Sequence, residues 1–320
     1  MSTEAVKLEL DAQYRALREE AALLHRADRA LIAVSGPDAA EFLQGQVTND
    51  SEKLEPGSGH YAALLDRKGH IQADMRMLRL GGGEFRLEAE AGPAAGLLRH
   101  LTTYKIGREV EVADHSADHA LLSLIGPRSR ELAGAEVLGD EHEHTEVEVG
   151  GGACLAVATD EGVDLLTTPG DAPTVRAALL EAGAEEITDE AAEIARLEAG
   201  RARFGREMGP ETMPAEAGIV ERAVNFEKGC YIGQEPVARL HYRGRPNRVL
   251  RGLKLASTAE PGEAVSNDDR ELGAIATAAV SPALGPIALA VLRREAEPGD
   301  TVKLAGGAEA EVIELPFKRG

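Results

Sequence analysis

The densest chemistry in the chain lies in eight consecutive residues, Lys228-Gly229-Cys230-Tyr231-Ile232-Gly233-Gln234-Glu235. Cys230 sits between two glycines, with Lys228 two residues before it. Glycine permits a left-handed backbone and the close approach of another chain or a ligand. A nearby cation favours the thiolate, the reactive form of cysteine. That is what a functional thiol needs, with Lys228 tuning it. Composition alone favours Cys230 as a small buried hydrophobe, the commonest state of a free cysteine. The only other cysteine, Cys154 in GACLAVAT, falls in an apolar strand pattern and reads as core. Two cysteines cannot form a disulfide framework or a four-ligand metal site.

Other candidates fall away. The chain has no G-x-G-x-x-G after a strand, no G-x-x-x-x-G-K-[ST], no G-x-S-x-G and no H-E-x-x-H. His142-Glu143-His144 lies in an acidic stretch without a third ligand nearby, so it reads as a solvated turn and no metal is expected. Gly81–Gly83 follows a strand but opens no helix, which makes it a hairpin turn.

The elements that must position this chemistry repeat one grammar: an apolar run, a Gly/Pro turn, then a helical pattern. It occurs at Leu31–Val34 with Gly36-Pro37, at Phe85–Ala89 with Gly92-Pro93, at Leu121–Ile125 with Gly126-Pro127, and at Val163–Thr167 with Pro169-Gly170. Proline suits a first helical turn because its missing N–H would be unpaired there. Strand-like segments flank turns at 66–69 and 150–152 and read as hairpins. Two copies of an α+β unit are therefore expected. A helix is expected over Asp189–Ala199, with Thr188 as N-cap and Gly200 at its end. Arg201 to Arg248 reads as a long ordered loop. From 249 to 317, short strands with turns at 261–262, 298–299 and 306–307 suggest a small β-barrel.

The eight residues KGCYIGQE match the signature of the YgfZ group among the GcvT-like folate-binding proteins. VSGPDAAEFLQGQVTND (34–50), LLDRKGHIQAD (64–74) and ARLEAGRARFG (195–205) resemble segments shared with glycine-cleavage T-proteins, and the tail resembles their C-terminal barrel. The resemblance implies duplicated ferredoxin-like α+β folate-binding units followed by a C-terminal β-barrel. The expected divisions are an N-terminal extension 1–29, a first unit 30–117, a second unit with the signature loop 118–245, and a barrel 246–320. It also implies tetrahydrofolate as cofactor, lying between the α+β units and the barrel. By resemblance, Asp164 and Arg196 hold the folate, with Tyr231, Gln234 and Glu235 of the signature. Asp74 stands where T-proteins carry the second of two adjacent acids; Ala73 replaces the first. Asp74, Cys230 and Lys228 are the implied catalytic groups.

Two functions follow as expectations. One is a folate-binding factor in the assembly or repair of iron–sulfur proteins, and thereby tRNA modification, with those proteins or their assembly factors as partners. The alternative is an aminomethyltransferase that moves a one-carbon unit to tetrahydrofolate. A third, weaker reading is a scaffold that has lost folate binding. The formal net charge of −20 disfavours direct nucleic-acid or membrane binding. The basic stretch Arg239–Arg245 is the local exception. The first residues lack an apolar signal segment, so a reducing cytoplasm is the expected compartment.

Overall fold

The computed structural model describes residues 3–267 and 270–318. In chain order the first elements are α1 Thr3–Glu19, β1 Ala22–Arg26, β2 Arg29–Ser35, α2 Ala39–Gln46, β3 Gly59–Leu65, β4 Ile71–Arg79, β5 Phe85–Glu90, α3 Ala91–Tyr104 and β6 Glu111–Asp114. Then come β7 Ala120–Ile125, α4 Ser129–Leu132, β8 His144–Val149, β9 Gly152–Ala158, β10 Gly162–Thr167, α5 Ala172–Glu181, β11 Glu185–Glu186 and α6 Asp189–Glu198. The last are α7 Val220–Ala223, α8 Gln234–Arg243, β12 Arg248–Leu255, β13 Ala264–Asn267, β14 Arg270–Ser281, β15 Gly285–Arg293, β16 Thr301–Leu304 and β17 Glu309–Ile313.

The chain divides into two compact units, one of residues 1–65, 72–191 and 222–232, the other of 66–71, 192–221 and 233–320. The first holds two sheets. One runs β3-β4-β5-β2-β6 and the other β8-β9-β10-β7-β1-β11. Matched strand for strand, the first five places agree, so the duplication is real at the level of topology. The N-terminal strand β1 takes the place in the second sheet that β6 takes in the first. Residues 1–29 are therefore no extension: β1 pairs antiparallel with β7 from Ala22↔Ile125 to Arg26↔Leu121.

Backbone detail repeats as well. Gly36 and Gly126 open the two Gly-Pro turns with φ of 116° and 121°. A Cβ on either would meet a backbone carbonyl, Glu109 O at 2.2 Å or Glu20 O at 2.6 Å. Only glycine fits both constraints. The turn expected at Gly92-Pro93 does not form, because α3 already starts at Ala91 and carries the proline in its first turn.

Each sheet packs its helices on one face. Phe42, Leu43, Leu97 and Leu101 cover Ala73, Met75, Met77, Phe85 and Leu87. Val175 and Leu179 cover Leu122, Leu124, Val163 and Leu165. The other faces meet through Leu31, Leu78, Leu121, Val157 and Leu166. Strands covered on both sides read as apolar runs, which is why RALIAVS and ALLSLI stand out in the sequence.

The second unit carries a closed barrel, β12-β15-β14-β13-β16-β17. Its expected turns appear with left-handed Gly262, Gly299 and Gly307. At the start of α6 the Thr188 hydroxyl accepts the Ala191 N–H at 3.4 Å, and Gly200 (φ 68°) follows its end. The loop expected from Arg201 to Arg248 is interrupted by α8. Gly233 (φ 83°) turns the chain into this helix and Pro236 lies in its first turn. His241 and Arg243 occupy its last turn, where cations oppose the helix dipole. That gives the basic stretch a local structural reason. Among the described residues no helix is long and apolar enough to cross a membrane.

Candidate functional site

The faces on which the two sheets meet carry charge. In β4, Ala73, Met75 and Met77 belong to the helix-side core. The alternate residues Asp74 and Arg76 lie on the opposite face, as do Arg29 in β2 and Glu88 and Glu90 in β5. Arg29 pairs with both Glu88 and Glu90. Glu88 also faces Arg76 Nη2 at 2.8 Å, and Arg76 Nη1 donates to Asp164 Oδ2 at 2.7 Å. Ser123 donates to Asp164 Oδ1 at 2.6 Å and receives Arg26 Nε at 3.2 Å. Burial pushes the Glu88 carboxyl up, but Arg29 and Arg76 outweigh it and hold it at about 2.

Asp74 stands beside this chain of ion pairs. Its Oδ2 accepts the Tyr61 hydroxyl at 2.8 Å. Its Oδ1 is buried and has no hydrogen-bond partner among the described residues. Burial raises its pKa, against the pull of Tyr61 and Arg29. Burial and the Asp74 charge push the Tyr61 phenol well above its ordinary value. The Arg222 guanidinium lies 5.1 Å from the centre of the Tyr61 ring and pairs with Glu141. A carboxyl whose pKa is raised by burial, with one oxygen uncommitted, can exchange a proton with a ligand placed against it.

His142-Glu143-His144 is not the solvated turn expected from its acidic neighbours. His142 and His144 are both buried. The His142 backbone is left-handed (φ 74°), and neither ring nitrogen has a hydrogen-bond partner among the described residues. Burial, with Arg76 and Arg222 nearby, pulls its pKa down to about 3, so the ring is neutral.

The signature segment divides. Residues 222–232 are stitched to 44–50. Thr48 donates to Ala223 O, the Asn225 N–H to Thr48 O, and Asn49 Nδ2 to Arg222 O. Lys228 is buried, and its ammonium donates to the carbonyls of Gln44, Val47 and Asn49 at 2.7, 2.6 and 2.9 Å. This corrects the expectation that Lys228 tunes Cys230. The ammonium is enclosed in a cage of carbonyls and its bonds go to the QGQVTND block, residues 44–50. Burial lowers its pKa to about 8. The Tyr231 ring lies 5.0 Å from the Lys228 nitrogen. Tyr231 is buried, its hydroxyl lacks a hydrogen-bond partner among the described residues, and burial raises its pKa to about 12. Cys230 is exposed, against the buried reading that composition favoured, while Cys154 is buried as expected. Of the two glycines around Cys230, only Gly233 uses the left-handed region. Gln234 and Glu235 begin α8.

Two of the five folate-holding groups implied by resemblance, Asp164 and Arg196, are already engaged. Asp164 accepts from Arg76 and Ser123. Arg196, in the second unit, donates to both oxygens of Glu193, both oxygens of Glu207, the Arg201 carbonyl and Thr277. Its guanidinium is therefore committed to its own unit and does not stand ready for a ligand carboxylate. Sequence reasoning missed Arg29, Tyr61, Arg76, Glu88, Ser123 and His142. The available signal was charge recurring at every second residue in strands that otherwise read as core: Asp74-x-Arg76 and Glu88-x-Glu90.

Comparison with known proteins places this arrangement. Residues 3–228 match the family described as the GCVT N-terminal domain. The chain belongs to the GCVT family. It is 30% identical to an aminomethyltransferase of Rubrobacter xylanophilus, over 97% of this chain and 86% of that protein. It is 31% identical to an aminomethyltransferase of Streptomyces coelicolor, over 95% and 88%. A chloroplastic protein of Arabidopsis thaliana, named as a transferase, is 29% identical over 89% of this chain and 68% of its own. The crystal structure of glycine cleavage system aminomethyltransferase T from Bartonella henselae superposes with a TM-score of 0.86 at 25% identity, covering 97% of this chain and 90% of that one. This GCVT chain thus has the α+β fold with a closed C-terminal barrel that the resemblance implied. On function, these relatives side with the aminomethyltransferase alternative over the iron–sulfur assembly reading.

Proposed function

We propose that this chain binds tetrahydrofolate and acts in folate-dependent one-carbon transfer of the aminomethyl type. The observation that carries the proposal is Asp74: Tyr61 holds one carboxylate oxygen, the other is buried and uncommitted, and burial raises the pKa. The residues present fit a neutral, nitrogen-rich ring. Asp74 Oδ1 can accept from a ring N–H, and His142 offers two further uncommitted nitrogens beside Arg76 and Arg222. Bound tetrahydrofolate supplies the nitrogen that carries the one-carbon unit. Asp74 holds or exchanges the proton there, Tyr61 fixes its orientation, and the Arg29–Glu88–Arg76 chain keeps the surroundings charged and rigid. The names of the relatives support this reading. The test is methylene-tetrahydrofolate formation from an aminomethyl-lipoyl carrier. Asp74→Asn should lower it at least about a hundredfold, the usual scale of a general acid–base group. Wild type inert in this assay would sink the transferase reading.

A second reading has its own observation. Cys230 is an exposed thiol in KGCYIGQE, on a segment that Lys228 anchors, and Ala73 stands where T-proteins have an acid. These features, with Ala73 taken as the replaced first acid of the pair and Asp74 as the second, fit a folate-binding factor that maintains iron–sulfur proteins in the cytoplasm, including those that modify tRNA. On that reading, Cys230→Ser abolishes support of an iron–sulfur enzyme in cells lacking the chain and leaves tetrahydrofolate binding intact.

A further inference from the structure

We infer that His142 is a ligand-contacting residue, its imidazole hydrogen-bonding through one ring nitrogen to the flat nitrogen heterocycle of the bound carrier. The inference deepens the folate-binding reading and rests on it.

Three features single out this residue. Its ring is buried and both nitrogens lack partners among the described residues, which is costly unless something supplies them. Its backbone is the only non-glycine one in the left-handed region among the described residues, at φ 74°, held there by the His142 N–H donating to Ala158 O at 2.8 Å. Strain of this kind persists where the surroundings over-determine it and concentrates at ligand sites. The third is close approach at its Cβ: only glycine fits at position 59, since a Cβ there would lie 2.9 Å from the His142 Cβ.

The neighbours select the ligand. The groups whose charge bears on the ring are Arg76, Arg222, Glu88 and His60, and the Glu141 carboxylate lies 3.7 Å from Nε2. Arg76 is paired with Glu88 and Asp164, and Arg222 with Glu141. Each guanidinium already has a carboxylate beside it, so the glutamate tail of a folate would have to compete with Glu88, Asp164 or Glu141 here. A neutral imidazole presents one donor and one acceptor. Either can meet one uncharged acceptor or donor on the rim of a reduced pterin, such as its amide or amino group. With two cations close by, the ring stays neutral through the working pH range, so this pairing does not switch with pH.

The experiment is calorimetric titration of wild type and His142→Asn with (6S)-tetrahydrofolate and with 6-methyltetrahydropterin, which keeps the ring and lacks the tail. Asparagine tolerates the left-handed backbone, so loss of fold is not the expected outcome. The variant should bind both ligands at least tenfold more weakly, by the same factor. Equal affinity in wild type and variant overturns the inference and leaves the folate reading standing. A loss confined to the ligand with the tail also overturns it. Wild type that binds neither ligand removes the folate reading and this inference together. Should the variant fail to fold, ring nitrogen-15 shifts on the wild type decide. Those of His142 should move on adding 6-methyltetrahydropterin while those of His144 stay; unmoved His142 signals overturn the inference.

Discussion

Glu88 shows how one buried carboxylate governs this site. Two guanidiniums hold its pKa at about 2 rather than 4.5, so its contribution to stability is complete above pH 4.5 and lost as pH falls toward 2. A shift of that size corresponds to about 3 kcal/mol. Glu88→Gln should therefore destabilise the protein by about 3 kcal/mol at pH 7, since it leaves two buried cations short of a counter-charge. Denaturant melts between pH 2 and 7 should show a flatter acid limb in the variant; parallel limbs would contradict the assignment. Asp74 runs the other way. Its raised pKa means that stability falls as pH climbs through it, so ionisation at pH 7 costs stability. Asp74→Asn should raise the melting temperature at pH 7 by about 2 °C or more while it lowers one-carbon transfer, and a lower melting temperature would refute the sign. Asp74 was legible in the sequence because it sits in a recognisable hairpin. Its partners Tyr61 and Arg29 were not, because a charge at alternate strand positions ordinarily means a solvent face. Only the second sheet, packed against the first through Leu31, Leu78 and Leu166, turns that face inward.

At the scale of elements, two devices recur. The paired glycines Gly36 and Gly126 each close a turn against a backbone carbonyl that leaves no room for a methyl group. Alanine at either position should cost about 2 kcal/mol or more, from positive φ and clash together, and the two variants should lower the denaturant midpoint to a similar degree if the units are copies. The Gly-Pro grammar was visible in the sequence, and its equivalence between copies appears only in the dihedral angles. The second device is Lys228. Its three bonds reach residues roughly 180 positions away in sequence, a link that no local pattern announces. Lys228→Met should strip hydrogen-exchange protection from 44–50 and 222–232 together, and loss in only one segment would argue against a common anchor. Helix α8 escaped sequence reading for a different reason. Its ten residues include Pro236 and an acidic-to-basic run, and one buried residue, Val237, gives too little apolar periodicity to see.

At the scale of the molecule, 55 acidic against 35 basic residues give a formal charge of −20. Self-repulsion of this size destabilises the compact state, and salt screens it. The surface pairs Arg128–Glu20 and Arg176–Glu186 are exposed and contribute little, while the pairs around Glu88 are buried beyond the reach of screening. Raising sodium chloride to a few tenths molar should therefore raise the melting temperature, and a fall would mean that surface pairing outweighs repulsion. The strand β1 carries a consequence for how the chain is made. Its partner β7 lies roughly a hundred residues downstream, at 120–125. During synthesis at about 5–20 residues per second, β1 therefore waits on the order of 5–20 s for that partner, while every strand of the first sheet has already emerged. Until β6 emerges at 111–114 the place beside β2 stands open, and β1, which fills the matching place in the second sheet, is an unpaired strand within reach of it.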